Sequence, residues 1–135
     1  MEKLIIYTDG GARGNPGPAG LGIVFYNEKK ERIKEISKFI GKATNNEAEY
    51  NSLILALKEA KKFETKIIEF YLDSELVVNQ LNGKYRVKKE NLKFLYKQAM
   101  NLINRYDQIH FYHISRDKNE LADKLVNRAI DQKIL

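Results

Sequence analysis

The sequence predicts a single α/β domain in which helices flank a mixed five-stranded sheet, with three antiparallel strands followed by two parallel ones. The antiparallel part follows from three consecutive runs rich in β-branched and aromatic residues, the last two separated only by a short polar segment, as in a hairpin. The parallel part follows from the chain beyond Thr44, where helical and strand-like runs alternate. Strand–helix–strand connections pair their strands in parallel and are right-handed.

Length and composition narrow the class of protein. The chain has 135 residues, enough for one domain with its own core, and we expect residues 1–135 to form that domain. Hydrophobic residues make up 43% and charged residues 31%, which is atypical of disordered or membrane-spanning chains. The apolar run Leu4–Tyr7 is too short for a signal peptide, so we expect a cytoplasmic protein without membrane contact. The absence of cysteine excludes disulfides and thiolate zinc sites.

The first strand is predicted at Lys3–Asp9, where the run KLIIYTD is strand-like. Gly10–Gly20 contains five of the chain's eight glycines and both prolines, which predicts a tight, irregular loop. Leu21–Tyr26 and Ile33–Ile40 then form the hairpin. These three runs give the antiparallel half of the sheet.

The first helix is predicted after Thr44, with Glu49 four residues before Leu53 on the inward face. Glu47 lies two residues from Glu49, about 200° around a helix of 3.6 residues per turn, so it points elsewhere. The later elements are predicted as a strand Ile67–Leu72, a short helix Asp73–Leu81, a longer helix Glu90–Tyr106, a strand Ile109–Ile114 and a final helix capped by Asn119.

Four acids, Asp9, Glu49, Asp73 and Asp123, lie where a predicted strand ends or a predicted helix begins. Such positions meet in one crevice of an α/β sheet. Each acid alone has a structural explanation, as a helix cap, a first-turn acid or the start of a turn. Together they would repel one another unless divalent cations held them, and Mg²⁺ prefers such oxygen ligands. The set predicts a metal-dependent enzyme acting on phosphodiesters.

The charge balance indicates a polyanionic partner. The formal net charge is +6 and the pI is about 9.4, which favours nucleic acid, although a lysine excess also serves solubility. One basic run could follow phosphates, but a solvated helix face explains it as well and is the interpretation we favour. Its members are Lys84, Arg86, Lys88, Lys89, Lys93 and Lys97.

Four segments, in chain order, resemble the signature segments of type 1 ribonuclease H, and together they span nearly the whole chain. They are YTDGGARGNPGPAGLG, TNNEAEYNSLILAL, YLDSELVVNQL and RDKNELADKLVNRA. The first two segments are the most specific. The resemblance implies a ribonuclease H-like fold and an endonuclease that cuts the RNA strand of an RNA/DNA hybrid, leaving 5′-phosphate and 3′-hydroxyl ends.

The same resemblance assigns roles to the acids. Asp9 would bridge two Mg²⁺ ions, Asp123 would help hold the ion that activates the attacking water, and Glu49 and Asp73 would hold the other ion. Two metals about 3.5 to 4 Å apart are the usual arrangement for in-line phosphoryl displacement. We expect Mn²⁺ to substitute for Mg²⁺.

Substrate recognition has its own candidate residues. Glycines at positions 10, 11, 14 and 17 permit positive φ and close approach of a backbone to a polyanion, although they could equally form only a turn. By resemblance, Asn15 and Asn45 would contact the minor groove, with Asn46 as a further candidate for that contact, and Thr44 would contact a DNA phosphate. Recognition through the minor groove and 2′-hydroxyls does not read base sequence. The substrate-binding residues implied are Gly10, Gly11, Asn15, Thr44, Asn45 and Asn46.

The chain departs from the family pattern in two places. Many members carry a histidine in the loop before the last helix, where this chain has residues 115–118 without one. His110 and His113 fall in the preceding strand, where we expect packed or hydrogen-bonded histidines without a catalytic role. Between Leu81 and Asn91 there is no room for the basic handle of some relatives, and no separate hybrid-binding domain is expected.

Two alternative functions stay open. Double-stranded RNA also presents an A-like RNA strand, so a broader nuclease that cuts it is one alternative. A non-catalytic duplex-binding module with the same fold is the other, and it is less favoured because all four acids are present. We expect a monomer.

Overall fold

The computed structural model describes residues 1–134 and confirms the predicted class, a mixed five-stranded sheet with helices on both faces. The strands are β1 (Lys3–Ala12), β2 (Gly17–Tyr26), β3 (Arg32–Ala43), β4 (Ile67–Leu72) and β5 (Ile109–His113). The helices are α1 (Asn45–Ala60), α2 (Glu75–Leu81), α3 (Glu90–Ile103) and α4 (Glu120–Ile134), with a short 3-10 turn at Arg116–Lys118.

The strand order is β3-β2-β1-β4-β5, so β1 lies at the centre of the sheet. β1 pairs antiparallel with β2 and parallel with β4, and β4 pairs parallel with β5. Thr8 of β1 pairs with Leu72 of β4, and each is followed directly by an aspartate. The register of the central strands therefore delivers Asp9 and Asp73 to the same edge of the sheet.

The alternating side chains of β2 separate the two layers of the core. Ile23 and Phe25 belong to the main core, which α1 and α3 cover. Val24 points to the other face, where it packs with Ala122 and Leu125 of α4. Because successive strand residues point to opposite faces, one strand anchors both helical layers.

The predicted loop Gly10–Gly20 is mostly strand, and this prediction was wrong. β1 continues to Ala12 and β2 begins at Gly17, so only residues 13–16 form the turn. Close packing explains the glycines at 20 and 22, because a Cβ at Gly22 would overlap Ala122 O of α4. Among the glycines at 10, 11, 14 and 17, only Gly14 has a positive φ, of 85°. The glycines chiefly let helices lie against strand backbone.

Smaller differences concern the ends of elements. The helix predicted at Glu90–Tyr106 ends at Ile103, and the short helix starts at Glu75 rather than at Asp73. α2 and α3 are joined by residues 82–89 without a further helix, as the lack of room for a basic handle predicted. No helix within residues 1–134 is long and apolar enough to cross a membrane.

Candidate active site

Asp9 lies in β1 just beyond the last pair that β1 forms with β4, and Asp73 directly follows β4. Asp73 does not cap α2, because the hydroxyl of Ser74 accepts the hydrogen bond from Val77 N at 3.2 Å. The capping explanation for Asp73 is therefore wrong, since its neighbour performs that task. Its carboxylate instead accepts a bond from Asn119 Nδ2 at 3.3 Å.

Glu49 reaches the same edge from α1. The N-terminus of α1 is closed by a capping box, in which Thr44 Oγ1 accepts from Glu47 N and Glu47 accepts from Thr44 N. Glu47 is thereby used at the helix end, while Glu49 is buried, as the helical spacing predicted. Gly10 N donates to Glu49 Oε1 at 2.8 Å.

Three of the four predicted acids form a tight cluster. Asp9, Glu49 and Asp73 each offer a carboxylate oxygen, and these oxygens lie within 4.8 Å of one another. Asp123, in the first turn of α4, is outside that group but lines the same cleft, which has a volume of about 360 Å³. The structure therefore brings all four acids to one cleft.

Burial and mutual repulsion raise the pKa values of Asp9 and Glu49, so these two acids stay protonated to unusually high pH. Burial, followed by the charges of Asp73 and Asp123, raises the pKa of Asp9 to about 7. Burial raises the pKa of Glu49 well above its ordinary value, and the charge of Asp9 raises it further. Without a bound cation, ionisation of these two buried carboxyl groups is therefore unfavourable.

The cluster fits a divalent cation. All its donors are carboxylate oxygens, the ligands that hard cations prefer. Glu49 Oε2 is buried and has no hydrogen-bond partner among the described residues, so it is free to coordinate an ion. A bound cation would offset the repulsion that raises the two pKa values.

The predicted substrate-binding residues lie beside this cluster. Asn15 Oδ1 accepts from Asn45 N at 2.9 Å, and Asn45 Oδ1 accepts from Ala12 N at 2.8 Å. These bonds tie the β1–β2 turn to the start of α1 and leave the amide NH₂ groups as the donors for any ligand. Asn46, with Gly10 and Gly11, lines the cleft. Thr44 is partly buried at the helix cap.

Four polar residues near the acids were not predicted as site residues. Arg13 and Arg116 line the cleft, and Arg13 forms an ion pair with Asp131 of α4. Asn127 Nδ2 donates to Asp123 Oδ2 at 3.4 Å. Asn119 was expected to cap α4, but its side-chain oxygen makes no bond within residues 1–134 and its NH₂ group contacts the acid cluster. Of these four residues, only Asn127 could have been found from the sequence, because side chains four residues apart on a helix, such as Asp123 and Asn127, are neighbours.

The histidines differ from expectation in their surroundings. His110 and His113 belong to β5, as predicted, but both are exposed rather than packed. The connection between β5 and α4, which carries no histidine, contributes Arg116 to the cleft.

Comparison with known proteins establishes the family. A family model described as reverse transcriptase-like matches residues 7–129. The chain is 34% identical over 152 aligned positions to a ribonuclease H of Clostridium botulinum, covering 98% of both. The chain belongs to the type 1 ribonuclease H family. It is also 42% identical over 130 residues to a bifunctional protein of Mycobacterium tuberculosis, covering 96% of this chain but only 36% of that relative.

Solved structures agree with this family. LC11 ribonuclease H1, isolated from compost, superposes with a TM-score of 0.95 at 47% identity, with full coverage of both chains. The structure of LC11 ribonuclease H1 in complex with an RNA/DNA hybrid has a TM-score of 0.93 at 44% identity, covering 98% of this chain and 99% of that one. The N-terminal ribonuclease H domain of the mycobacterial protein has a TM-score of 0.91 at 42% identity, covering 96% of this chain and 99% of that domain.

Proposed function

We propose that this chain is an endoribonuclease that hydrolyses the RNA strand of RNA/DNA hybrids and leaves 5′-phosphate and 3′-hydroxyl ends. The observation that carries the proposal is the cluster of Asp9, Glu49 and Asp73, with oxygens within 4.8 Å of one another in an open cleft. A similar ribonuclease H1 is known in complex with an RNA/DNA hybrid, which supports the substrate class.

The proposed cofactor is Mg²⁺, two ions per site, with Mn²⁺ as a substitute. Asp9, Glu49, Asp73 and Asp123 would hold the ions, with Asp9 shared between them. When bound, the ions supply Lewis-acid polarisation of the phosphate and lower the pKa of the attacking water. The chain itself holds the carboxylates on β1, on two helices and directly after β4, so the reacting groups need little rearrangement.

Hybrid recognition would use the amide groups of the turn and of α1. Because the oxygens of Asn15 and Asn45 are occupied internally, their NH₂ groups are the available donors. Minor-groove base edges offer acceptors at every base pair, and the RNA strand adds 2′-hydroxyls. Donors at this position would bind a duplex without reading its sequence. Gly10, Gly11, Thr44 and Asn46 would complete the contact surface.

A basic and aromatic surface extends this contact. A groove of about 520 Å³ begins at Asn46 and continues into one of about 780 Å³ between residues 83 and 97. Six cations line the two grooves, together with one acid among the described residues, Glu90, which pairs with Lys93. Phe94 and Tyr85 are 66% and 47% exposed there. Exposed rings among cations, continuous with the cleft, favour nucleic-acid contact over a merely solvated face.

Cleavage of double-stranded RNA is the second candidate. Both duplexes present an RNA minor groove to the same amide donors. The segment 82–89 between α2 and α3 carries no additional helix that could contact a DNA strand. Its absence favours weak discrimination between an RNA/DNA hybrid and double-stranded RNA. A purely duplex-binding module is disfavoured by the complete acid set.

The proposed working unit is one catalytic domain formed by residues 1–135, acting as a monomer in the cytoplasm. The support for this part is the composition and length of an ordinary small globular domain. Light scattering of the purified chain at micromolar concentration tests the oligomeric state, and a dimer mass would contradict it.

The test of the activity compares substrates directly. End-labelled RNA/DNA hybrid, double-stranded RNA and double-stranded DNA of one sequence are incubated at equal concentrations with Mg²⁺, Mn²⁺ or EDTA. We expect cleavage only in the RNA strand of the hybrid, only with metal, and products that a 5′-phosphate-dependent exonuclease degrades. Equal cleavage of double-stranded RNA would establish the broader nuclease, and binding without cleavage would leave the binding module.

A further inference from the structure

The side chain of Asn119 lies behind the acid cluster and is 1% exposed. Its Nδ2 donates to Thr8 O at 2.9 Å and to Asp73 Oδ2 at 3.3 Å. Thr8 immediately precedes Asp9. One amide group therefore joins the backbone of β1 beside Asp9 to the carboxylate that follows β4.

The backbone of Asn119 adds a third connection. Asn119 O accepts a hydrogen bond from Asp123 N at 3.1 Å, and Asn119 N donates to Arg116 O at 3.0 Å. The first bond fixes the turn of α4 from which Asp123 projects. Asn119 is thereby linked to Asp73 directly, to Asp9 through the adjacent peptide and to Asp123 through the helix backbone.

The side-chain oxygen of Asn119 contributes no hydrogen bond to the fold within residues 1–134. Asn119 Oδ1 is buried and has no hydrogen-bond partner in the described part of the chain, and the same holds for the neighbouring Thr8 Oγ1. A buried polar atom without a partner costs free energy, so the oxygen does not account for the presence of this side chain. The value of the side chain lies in the two bonds that Nδ2 donates.

We propose that Asn119 is a positioning residue for the metal-binding carboxylates. It directs one oxygen of Asp73 toward the amide so that the other oxygen is presented to the cleft, and it holds Asp73 and Asp9 in fixed relation. A neutral donor suits this task, because a lysine or protonated histidine would bring a positive charge that competes with the cation. This inference rests on the proposed metal-dependent function.

The test measures metal binding separately from catalysis. Asn119→Ala removes the amide, and Asn119→Leu removes it while keeping the branched shape and most of the volume. Ser37→Ala is the matched control, because Ser37 Oγ donates to Leu125 O at 2.6 Å and so ties α4 to the sheet without a hydrogen bond to any of the acids. Mn²⁺ binding without substrate is followed by the paramagnetic resonance signal of the free ion, and folding by urea unfolding.

Both Asn119 variants are expected to bind Mn²⁺ about tenfold more weakly, as is typical when a partner of a metal ligand is removed. The Mg²⁺ concentration for half-maximal cleavage should rise by a similar factor, while KM for the hybrid changes less than about twofold. Ser37→Ala should leave metal binding unchanged.

The outcomes separate the two proposals. A wild-type protein that binds no Mn²⁺ and cuts no hybrid would overturn the proposed function and this inference with it. A functional wild type with unchanged metal binding in Asn119→Leu would overturn the positioning role alone. An equal loss in Ser37→Ala, or failure of both Asn119 variants to fold, would also overturn it, because either result would indicate a purely structural role.

Discussion

The backbone N–H of Gly10 donates a 2.8 Å hydrogen bond to Glu49 Oε1, and this bond joins the end of β1 to α1. The contact requires glycine, because a Cβ at position 10 would overlap Ala48 O and lie 2.6 Å from Glu49 N. The close approach of helix to strand places Glu49 against Asp9. Because Gly10 has no side chain, α1 can pack closely on β1, and this brings together the two buried acids of the cluster, Asp9 and Glu49.

Gly10→Ala should destabilise the protein and abolish metal binding, because α1 must move away from β1. Overpacking of this kind costs about 1–3 kcal/mol. Urea unfolding and Mn²⁺ titration measure the two effects. Gly11→Ala is the control, since a Cβ there would make an ordinary 3.7 Å contact with Val126. Equal stability losses for the two variants would contradict this explanation of Gly10.

The pH dependence of stability should follow from the raised carboxyl pKa values. A group whose pKa is raised by folding stabilises the native state below its unfolded pKa, 3.8 for Asp9, and this contribution is lost as pH rises through about 7. In EDTA, Glu49→Gln should therefore be more stable than the wild type at pH 8, and the difference should shrink toward pH 5. Urea unfolding at both pH values measures it. A difference that is independent of pH would contradict the buried-charge explanation.

Asp73→Asn and Asp123→Asn should differ in their effects on metal binding. Asp73 belongs to the cluster within 4.8 Å, whereas Asp123 lies outside it. We expect Asp73→Asn to weaken Mn²⁺ binding about tenfold or more, because affinity for hard cations depends on the number of charged ligands, and Asp123→Asn to weaken it less. Calorimetric titration at one pH compares them, and the reverse order would show that the cluster is not the principal ion site.

Arg116→Ala should slow cleavage about tenfold to a hundredfold, since this guanidinium lines the acid cleft and can stabilise the developing phosphate charge. Arg116→Lys should retain part of the rate. His113→Ala serves as the control from the neighbouring strand end, where His113 is exposed, and it should change the rate less than about twofold. Single-turnover rates give the comparison. A loss in His113→Ala that matches an acid variant would contradict these assignments.

The basic surface should contribute to duplex affinity by neutralising phosphates. Replacing Arg86 and Lys88 with alanine should weaken hybrid binding at low salt and reduce the slope of log affinity against log salt by about one for each phosphate that is no longer neutralised. The control is Lys66→Ala, whose ammonium forms a surface pair with Glu2. Fluorescence anisotropy in Ca²⁺, at several salt concentrations, measures the slope. An unchanged slope would return these cations to the role of a solvated face.

The sequence predicted the mixed five-stranded sheet and the convergence of the four acids for physical reasons that are local. The strand-like runs 3–8 and 67–72, which pair in the structure, are each followed by an aspartate, and the helical spacing of Glu49 from Leu53 places that acid inward. These features depend on chain direction and periodicity, which can be read from the sequence without knowledge of tertiary contacts.

Other features depend on contacts between distant segments and could not be predicted in this way. Gly20 was predicted as a loop residue, but it lies in β2, where it and Gly22 let α4 approach the strand. Asn119 was predicted as a helix cap, but its NH₂ group donates to Thr8 and Asp73, which are 111 and 46 positions away from it in the sequence. Local propensity cannot distinguish these roles, because only the packed structure supplies the partner atoms.

The most direct measurement is the single-turnover rate of RNA-strand cleavage in an end-labelled RNA/DNA hybrid, with wild type and Asp9→Asn at equal concentration in Mg²⁺. Asp9 lies in the centre of the acid cluster, so its replacement should lower the rate about a thousandfold or more while the variant stays folded. Metal-dependent cleavage by the wild type that is absent in a folded variant is the expected result. Comparable rates for the two proteins would contradict the assignment of this cluster as the catalytic centre.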